Sequence, residues 1–451
     1  MDGLRASIEK MRREGLPDAA IDTFEHYYRQ LAEGETGMLP ESEIEPVEDP
    51  QAFDDLPDAD APLDEAVVLK LNGGLGTSMG MTRAKSLIEA KDGQTFLDVI
   101  ARQVLELRER TGARLPLVLM NSFYTHDDAL EALARHAGLE SDVPPDFVQH
   151  KEPKIRVDDL MPVEWPDDPS LEWCPPGHGD LYTSLLTSGM LEALLDRGYR
   201  YAFVSNSDNL GAVLEPRILA WIAREQIPFA MEVTQRTEAD RKGGHIARRP
   251  AGGHLLRETA QTPKEDLDAL QDIGRHRYVN TNNLWVDLQA LADVLREREG
   301  VLGLPLIVNR KTVDPGDKST PEVFQLETAM GAAIGVFDGA RPVLVPRRRF
   351  SPVKTTEDLL TLRSDAYVLT GDARVELAPP RDGTPPVVDL DDDHYKLLRD
   401  FDARFPAGAP SLVECERLAV EGDVTFGREV VVRGAVTVRG PRRIEDGTVL
   451  S

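Results

Sequence analysis

At 451 residues the chain exceeds one ordinary core, so two or three domains are expected, and an apolar share of 41% is enough to fill them. Acidic residues outnumber basic ones by 79 to 52, net −27, a surface that repels nucleic acid and anionic membranes at long range and disfavours both as partners. Two distant cysteines, Cys174 and Cys415, cannot build a disulfide framework or a zinc spacing, and no run of about 18 apolar residues predicts a transmembrane helix.

The first segment, MDGLRASIEKMRREG, alternates charges and lacks the apolar stretch of a secretory signal, so a cytoplasmic location is expected. Leu4, Ile8 and Met11 recur at helical spacing, and Phe24, Tyr27, Tyr28 and Leu31 repeat the pattern after Gly15–Pro17. The aromatic stripe reads as a core face rather than a ligand platform. Gly37–Pro62, rich in Pro, Asp and Glu, reads as a connection, and 1–62 is taken as a helical segment plus linker.

From Ala66 onward, apolar runs alternate with amphipathic stretches. Ala66–Leu71, Leu115–Met120, Tyr201–Val204 and Phe229–Val233 predict buried strands, and Thr95–Arg108, Asp127–His136 and Leu181–Leu195 predict helices. That alternation predicts an α/β domain over 63–378 with a mainly parallel sheet, whose ligands bind at the carboxyl ends of the strands.

Directly after the first strand comes Lys70-Leu-Asn72-Gly73-Gly74-Leu75-Gly76-Thr77-Ser78-Met79-Gly80, followed by Lys85-Ser86. Glycines let a backbone approach a phosphate or base, its N–H groups bind anions, and a lysine adds charge. Walker A spacing fails at Ala84 and Met79, which disfavours a P-loop kinase, and the dinucleotide G-x-G-x-x-G fails at Met79. A plain tight turn needs fewer glycines than these.

Next, Pro175-Pro176-Gly177-His178-Gly179-Asp180 places a histidine between glycines, before a predicted helix whose amino terminus suits a ligand. Val204-Ser205-Asn206-Ser207-Asp208-Asn209 ends a strand with a carboxylate suited to Mg²⁺, although an Asx turn would use the same residues. Lys242-Gly243-Gly244-His245 and Gly252-Gly253 predict a hairpin laid over a cleft, closing with Glu258. Asn280-Thr281-Asn282-Asn283 offers amides that match sugar hydroxyls. Arg347–Arg349 reads as a solvated basic face, and Thr355 with Asp358 predicts a capped helix beside Lys354. Beyond a linker at 379–400, Val420-Glu-Gly422-Asp-Val424 is echoed twelve residues later by Val432-Arg-Gly434-Ala-Val436, which suggests two coils of a β-helix over 401–451, with a β-hairpin pair as the alternative.

Taken together these segments resemble the eukaryotic-type UTP–glucose-1-phosphate uridylyltransferase family. The resemblance is carried by KLNGGLGTSMG…KS (70–86), DGQTFLD (92–98), LVLMNSFYTHDD (117–128), CPPGHGDLYTS (174–184), FVSNSDNLGA (203–212), MEVTQRT (231–237), KGG (242–244), YVNTNNLW (278–285), QLETAMGAAI (325–334) and PVKTTEDLL (352–360), in the family's order. It implies a Rossmann-like, GT-A-like nucleotidyltransferase mixed sheet and a short C-terminal left-handed β-helix, through which a homo-oligomer would form.

The resemblance also implies roles. Leu71, Asn72, Gly73 and Gly74 would contact uridine, with Gln149 and Gly177 reading the uracil. Lys85 and Lys354 would hold phosphates, and Asp208, flanked by Asn206 and Ser207, would bind Mg²⁺. His178, Asn206, Gly243, Glu258 and Asn282 would line the sugar-phosphate side. The implied reaction joins UTP and glucose 1-phosphate into UDP-glucose and pyrophosphate by in-line attack on the α-phosphorus. Other sugar 1-phosphates (galactose, N-acetylglucosamine) and a silent UDP-sugar-binding regulator are the alternatives. One departure stands out: the family carries Gly-Pro before the loop lysine, whereas this chain has Arg83-Ala84, and without proline's fixed φ a looser approach of Lys85 is expected.

Overall fold

A computed structural model describes residues 2–451. The N-terminal stripes form two helices, Asp2–Arg13 and Asp18–Ala32, which bury Leu4, Met11, Phe24, Tyr27 and Tyr28 in a core of their own with Ile155, Leu306 and Leu326.

The central sheet runs Gln51–Ala52, Arg341–Leu344, Phe229–Gln235, Tyr278–Asp287, Tyr201–Asn206, Ala66–Asn72, Leu117–Asn121, Asp146–Val148. Every neighbour pair along this row is parallel except the two flanking Tyr278–Asp287, which runs against both of its partners. Period-2 alternation divides the strands between two cores. Ala66 and Val68 face one with Phe203, Trp285 and Val343, whereas Val67 and Leu69 face the other with Ala202, Val204 and Met231. Burial on both faces is why these strands read as continuous apolar runs.

The hairpin His245–Arg248/His254–Arg257 joins the sheet through His245 opposite Val279, and its turn uses Gly252 and Gly253 at φ 98° and 84°. The connection before the sheet also contributes structure: Glu45–Pro46 pairs with the hairpin, and Gln51–Ala52 forms the sheet's edge.

Three expectations need correction. The single helix over 181–195 is two, Leu181–Thr187 and Met190–Asp196, because Gly189 takes a left-handed φ of 74° and stops the first. The segment 379–400 is more than a linker: Val387–Leu390 is a strand paired with Cys415–Glu421, and Tyr395 is buried in the main core. Its Pro/Asp composition hid the short apolar stretch within. Finally, the twelve-residue echo does not pair with itself. The C-terminal strands lie parallel at an offset of eighteen residues (418 on 436, 424 on 442, 431 on 449). Buried Val420, Phe426, Val432, Val438 and Ile444 recur every six residues, so three sixes, not two, return the chain to the same side.

Candidate active site

The carboxyl ends of Ala66–Asn72 and Tyr201–Asn206 lie side by side, with Asn206 in register with Leu71, and the chain beyond each strand builds the cleft. Gly73 packs against Gln149, whose Oε1 would lie 2.8 Å from any added Cβ. Gly74 is exposed, with a negative φ and no neighbour within 4 Å of a built Cβ, so neither strain nor packing requires glycine there. The side chain of Asn72 is buried and donates to Asn121 Oδ1 at 2.8 Å, so only its backbone remains for a ligand. Asn121 in turn donates to Asp146 at 2.8 Å, and Ser122 donates to the Gly73 carbonyl at 3.1 Å, a polar layer that fixes the loop from behind.

Gln149 and Gly177 are tied through the next residues. Asp180 accepts from the His150 amide at 2.6 Å and pairs with the His150 ring at 2.8 Å, and the Asp180 amide donates to the Gly177 carbonyl. Gly177 has φ 77°, and a Cβ would meet the Thr328 carbonyl at 2.6 Å, so only glycine fits. His178 Nδ1 accepts the Met330 N–H at 3.0 Å, which leaves the proton on Nε2. Burial pushes this imidazole down to about 4, so it is neutral at physiological pH.

Lys85 and Asp208, 123 residues apart, form an ion pair at 2.8 Å. The other oxygen of Asp208, Oδ1, is buried and has no partner among the described residues. The Ser207 amide donates to the Leu71 carbonyl, holding this turn against the glycine loop. Ala84 takes a φ of −54°, within proline's range, so the chain enters Lys85 along the path that the family's proline would give.

Across the cleft, Asn282 lies at a bulge in Tyr278–Asp287 opposite Glu232, with φ 58°. Asparagine tolerates that region, and bulges re-aim side chains beside active sites. Asn280 and Asn282 hydrogen-bond each other at 2.8 and 2.9 Å, and the Asn280 amide donates to the Gly244 carbonyl. Glu258 packs against Gly244, adjacent to Gly243. Burial raises the Glu258 carboxyl, and the Lys354 charge opposes the rise. Thr355 caps the helix Thr356–Arg363 in a reciprocal box with Asp358, so exposed Lys354 stands at its amino terminus as the sequence suggested.

Buried charges were missed. Lys70 is fully buried, donating to Ser205 Oγ and the Ala212 carbonyl at 2.7 Å each, and burial lowers it to about 7. Arg349 is not part of a solvated basic face. It is 4% exposed and grips Glu232, 0% exposed, through two bonds of 2.7 and 2.6 Å. Arg347, partly exposed, pairs with Asp240 at 2.6 Å, and Arg348 is exposed. A charged residue inside an apolar strand (Lys70 in AVVLKL, Glu232 in FAMEVTQ) was the available signal.

No cluster of three or more His, Cys, Asp or Glu side chains suited to a metal occurs among the described residues. Magnesium commonly takes one or two protein carboxylates and completes its shell with phosphate and water, so the bare oxygen of Asp208 fits a cation that arrives with a nucleotide. No helix of the described residues is long and apolar enough to cross a membrane.

A family model described as UTP–glucose-1-phosphate uridylyltransferase matches residues 21–433. The potato (Solanum tuberosum) enzyme of that name is 42% identical over 395 residues, 86% of this chain and 80% of the relative. The one from Saccharomyces cerevisiae is 42% identical over 377 residues, 83% and 74% respectively. Among solved structures, a mutant UDP-glucose pyrophosphorylase from Leishmania major in complex with UDP-glucose aligns at TM-score 0.94 and 46% identity, over 100% of this chain and 98% of that one. A Trypanosoma brucei UDP-glucose phosphorylase aligns at TM-score 0.93 and 45% identity, with the same coverage.

Proposed function

The chain belongs to the UTP–glucose-1-phosphate uridylyltransferase family, and from that premise we propose how its cleft performs the transfer. The protein is a nucleotidyltransferase: an oxygen of the glucose 1-phosphate phosphate attacks the α-phosphorus of UTP, the bond to the bridging oxygen breaks, and pyrophosphate leaves. The observation that carries this reading is the Lys85–Asp208 pair beside the glycine loop, with one Asp208 oxygen buried and bare.

The two reactants are polyanions, and two unit charges about 4 Å apart repel by about 4 kcal/mol at an effective dielectric near 20. The chain must therefore cancel charge and fix the approach, since such transfers draw most of their catalysis from positioning and electrostatics. Leu71–Gly74, Gln149 and Gly177 take the uridine through backbone and amide groups, and Lys85 holds the phosphates. Lys354, opposite, meets the α-phosphate and the incoming sugar phosphate. His178 donates from Nε2, and Asn206, Gly243, Glu258 and Asn282 line the sugar side. Asp208 is the residue that would hold Mg²⁺, which when bound neutralises phosphate charge.

The same reading extends to the rest of the chain. Residues 63–378 form the catalytic unit, flanked by 1–62 and by 401–451 across 379–400. The eighteen-residue rungs at the carboxyl end suit a short left-handed β-helix, since three sixes close a three-sided coil.

Pyrophosphate release across UTP, ATP, GTP and dTTP, each with glucose, galactose and N-acetylglucosamine 1-phosphates, tests the assignment. UTP with glucose 1-phosphate is expected to be fastest. UDP-glucose binding without turnover of any pair would overturn the enzyme reading in favour of a regulator.

A further inference from the structure

Three arms of the cleft meet behind it at one side chain. Asn209 is 1% exposed and offers no atom to a ligand, yet both ends of its amide are engaged. Its Nδ2 donates to the Arg349 carbonyl at 3.0 Å and to Asn283 Oδ1 at 3.3 Å, and its Oδ1 accepts the Ser351 amide at 3.0 Å. Asn209 thus stands next to Asp208, bonds the residue next to Asn282, and grips the backbone that leads to Lys354. The same junction is closed by the Val353 amide on the Asp208 carbonyl and by an antiparallel bridge from Asn209 to Pro352.

We propose that Asn209 is a positioning residue that sets Asp208, Asn282 and Lys354 in register for the transfer, an inference that rests on the uridylyltransferase reading. Only an amide carries two donors and an acceptor in one rigid plane, so no other side chain of this size makes all three bonds. The arrangement is braced from below. Asn283 Nδ2 donates to Glu232 and to the Arg349 carbonyl, at 3.0 and 3.2 Å, and Glu232 grips the Arg349 guanidinium. Asn209 holds the Lys354 arm through main-chain atoms of 349 and 351, beside the anchor that the Arg349 side chain makes on Glu232. A misplacement of about 1 Å costs a transfer of this kind about a hundredfold, which makes such a junction a lever on rate.

The test is a double-mutant cycle of Asn209→Ala and Lys354→Ala, read as kcat, the KM for UTP and thermal midpoint. Asn209→Ala is expected to lower kcat about 10- to 100-fold while changing the KM for UTP less than about threefold, because the uridine end lies on other strands. The double variant is expected to be at least about threefold faster than the product of the two single losses predicts, since a lysine already removed cannot be misplaced while Asp208 and Asn282 still can. Losses that multiply, or an Asn209→Ala rate near the parent's, would overturn the proposal. If the alanine variant does not fold, Asn209→Asp, which keeps the shape and the Ser351 bond but loses both donors, takes its place in the cycle. Failure of both to fold would assign Asn209 to stability and overturn the proposal equally. An inactive parent protein would instead refute the uridylyltransferase reading, whatever the variants do.

Discussion

Ala84 sits at φ −54° and ψ 128°, among the angles a proline ring permits, and among the described residues its N–H has no acceptor. The fold thus holds the lysine loop without proline's help, at the cost of chain entropy in the unfolded state. Ala84→Pro is expected to raise stability by about 0.4–1 kcal/mol in urea titration and to leave turnover at least unchanged. Destabilisation would mean that the ring clashes with the packing around this fully buried position. His178 yields a pH signature by the same residue-level reasoning. Its folded value, about 4 through burial, lies below the ordinary 6.5, so as pH falls through this interval the unfolded chain takes up a proton that the folded one refuses. Its stability contribution is complete above pH 6.5 and is lost toward pH 4. His178→Asn keeps an acceptor for the Met330 N–H and cannot titrate, so its thermal midpoint should gain on the parent's between pH 6.5 and 4.5. Parallel curves would remove His178 from the acid response.

The elements show which parts of this fold a sequence carries openly. Ala66–Asn72, Leu117–Asn121 and Tyr201–Asn206 were legible because burial on both faces makes them uniformly apolar, and the Thr355–Asp358 cap because it is local. The glycine loop, His178, Asp208 and Lys354 were singled out by motif, and the structure pairs Lys85 with Asp208 at 2.8 Å. The Glu232–Arg349 pair was not legible: its partners lie 117 residues apart, and a run of three arginines looks like a solvated face until one of them is buried. Nor does anything local say that Tyr278–Asp287 enters the sheet antiparallel or bulges at Asn282. That buried pair joins the strands Phe229–Gln235 and Tyr278–Asp287 to the turn before Lys354. Arg349→Ala leaves a fully buried carboxylate without its cation, and removing one partner of such a pair costs about 3–5 kcal/mol. Urea denaturation should report a loss in that range, whereas a loss below about 1 kcal/mol would show that Glu232 finds another partner or takes up a proton.

At the scale of the whole molecule, one core runs from the central sheet through Leu359, Leu360 and Leu390 to Leu418, Val424 and Ile444, so the C-terminal strands share hydrophobic interior with the central sheet. Against this cohesion stands the charge of −27. Folding gathers those carboxylates onto a compact surface, where they repel more strongly than in an expanded chain. Many ion pairs line that surface, such as Arg5–Asp2 and Arg296–Asp293, but exposed pairs contribute about 0–1 kcal/mol each and cannot offset an excess of 27 anions. Salt acts on both terms, weakening the pairs and the repulsion alike, and its screening length shrinks from about 10 Å at 0.1 M to about 3 Å at 1 M. With so large an imbalance the repulsion is the greater quantity, so screening should favour the folded state. The thermal midpoint is therefore expected to rise steadily as NaCl increases from 0.1 to 1 M at pH 7.5, and replacing several exposed glutamates by glutamine should flatten that rise. A midpoint that falls with salt would mean that the surface pairs, not the net charge, govern the electrostatics of this fold.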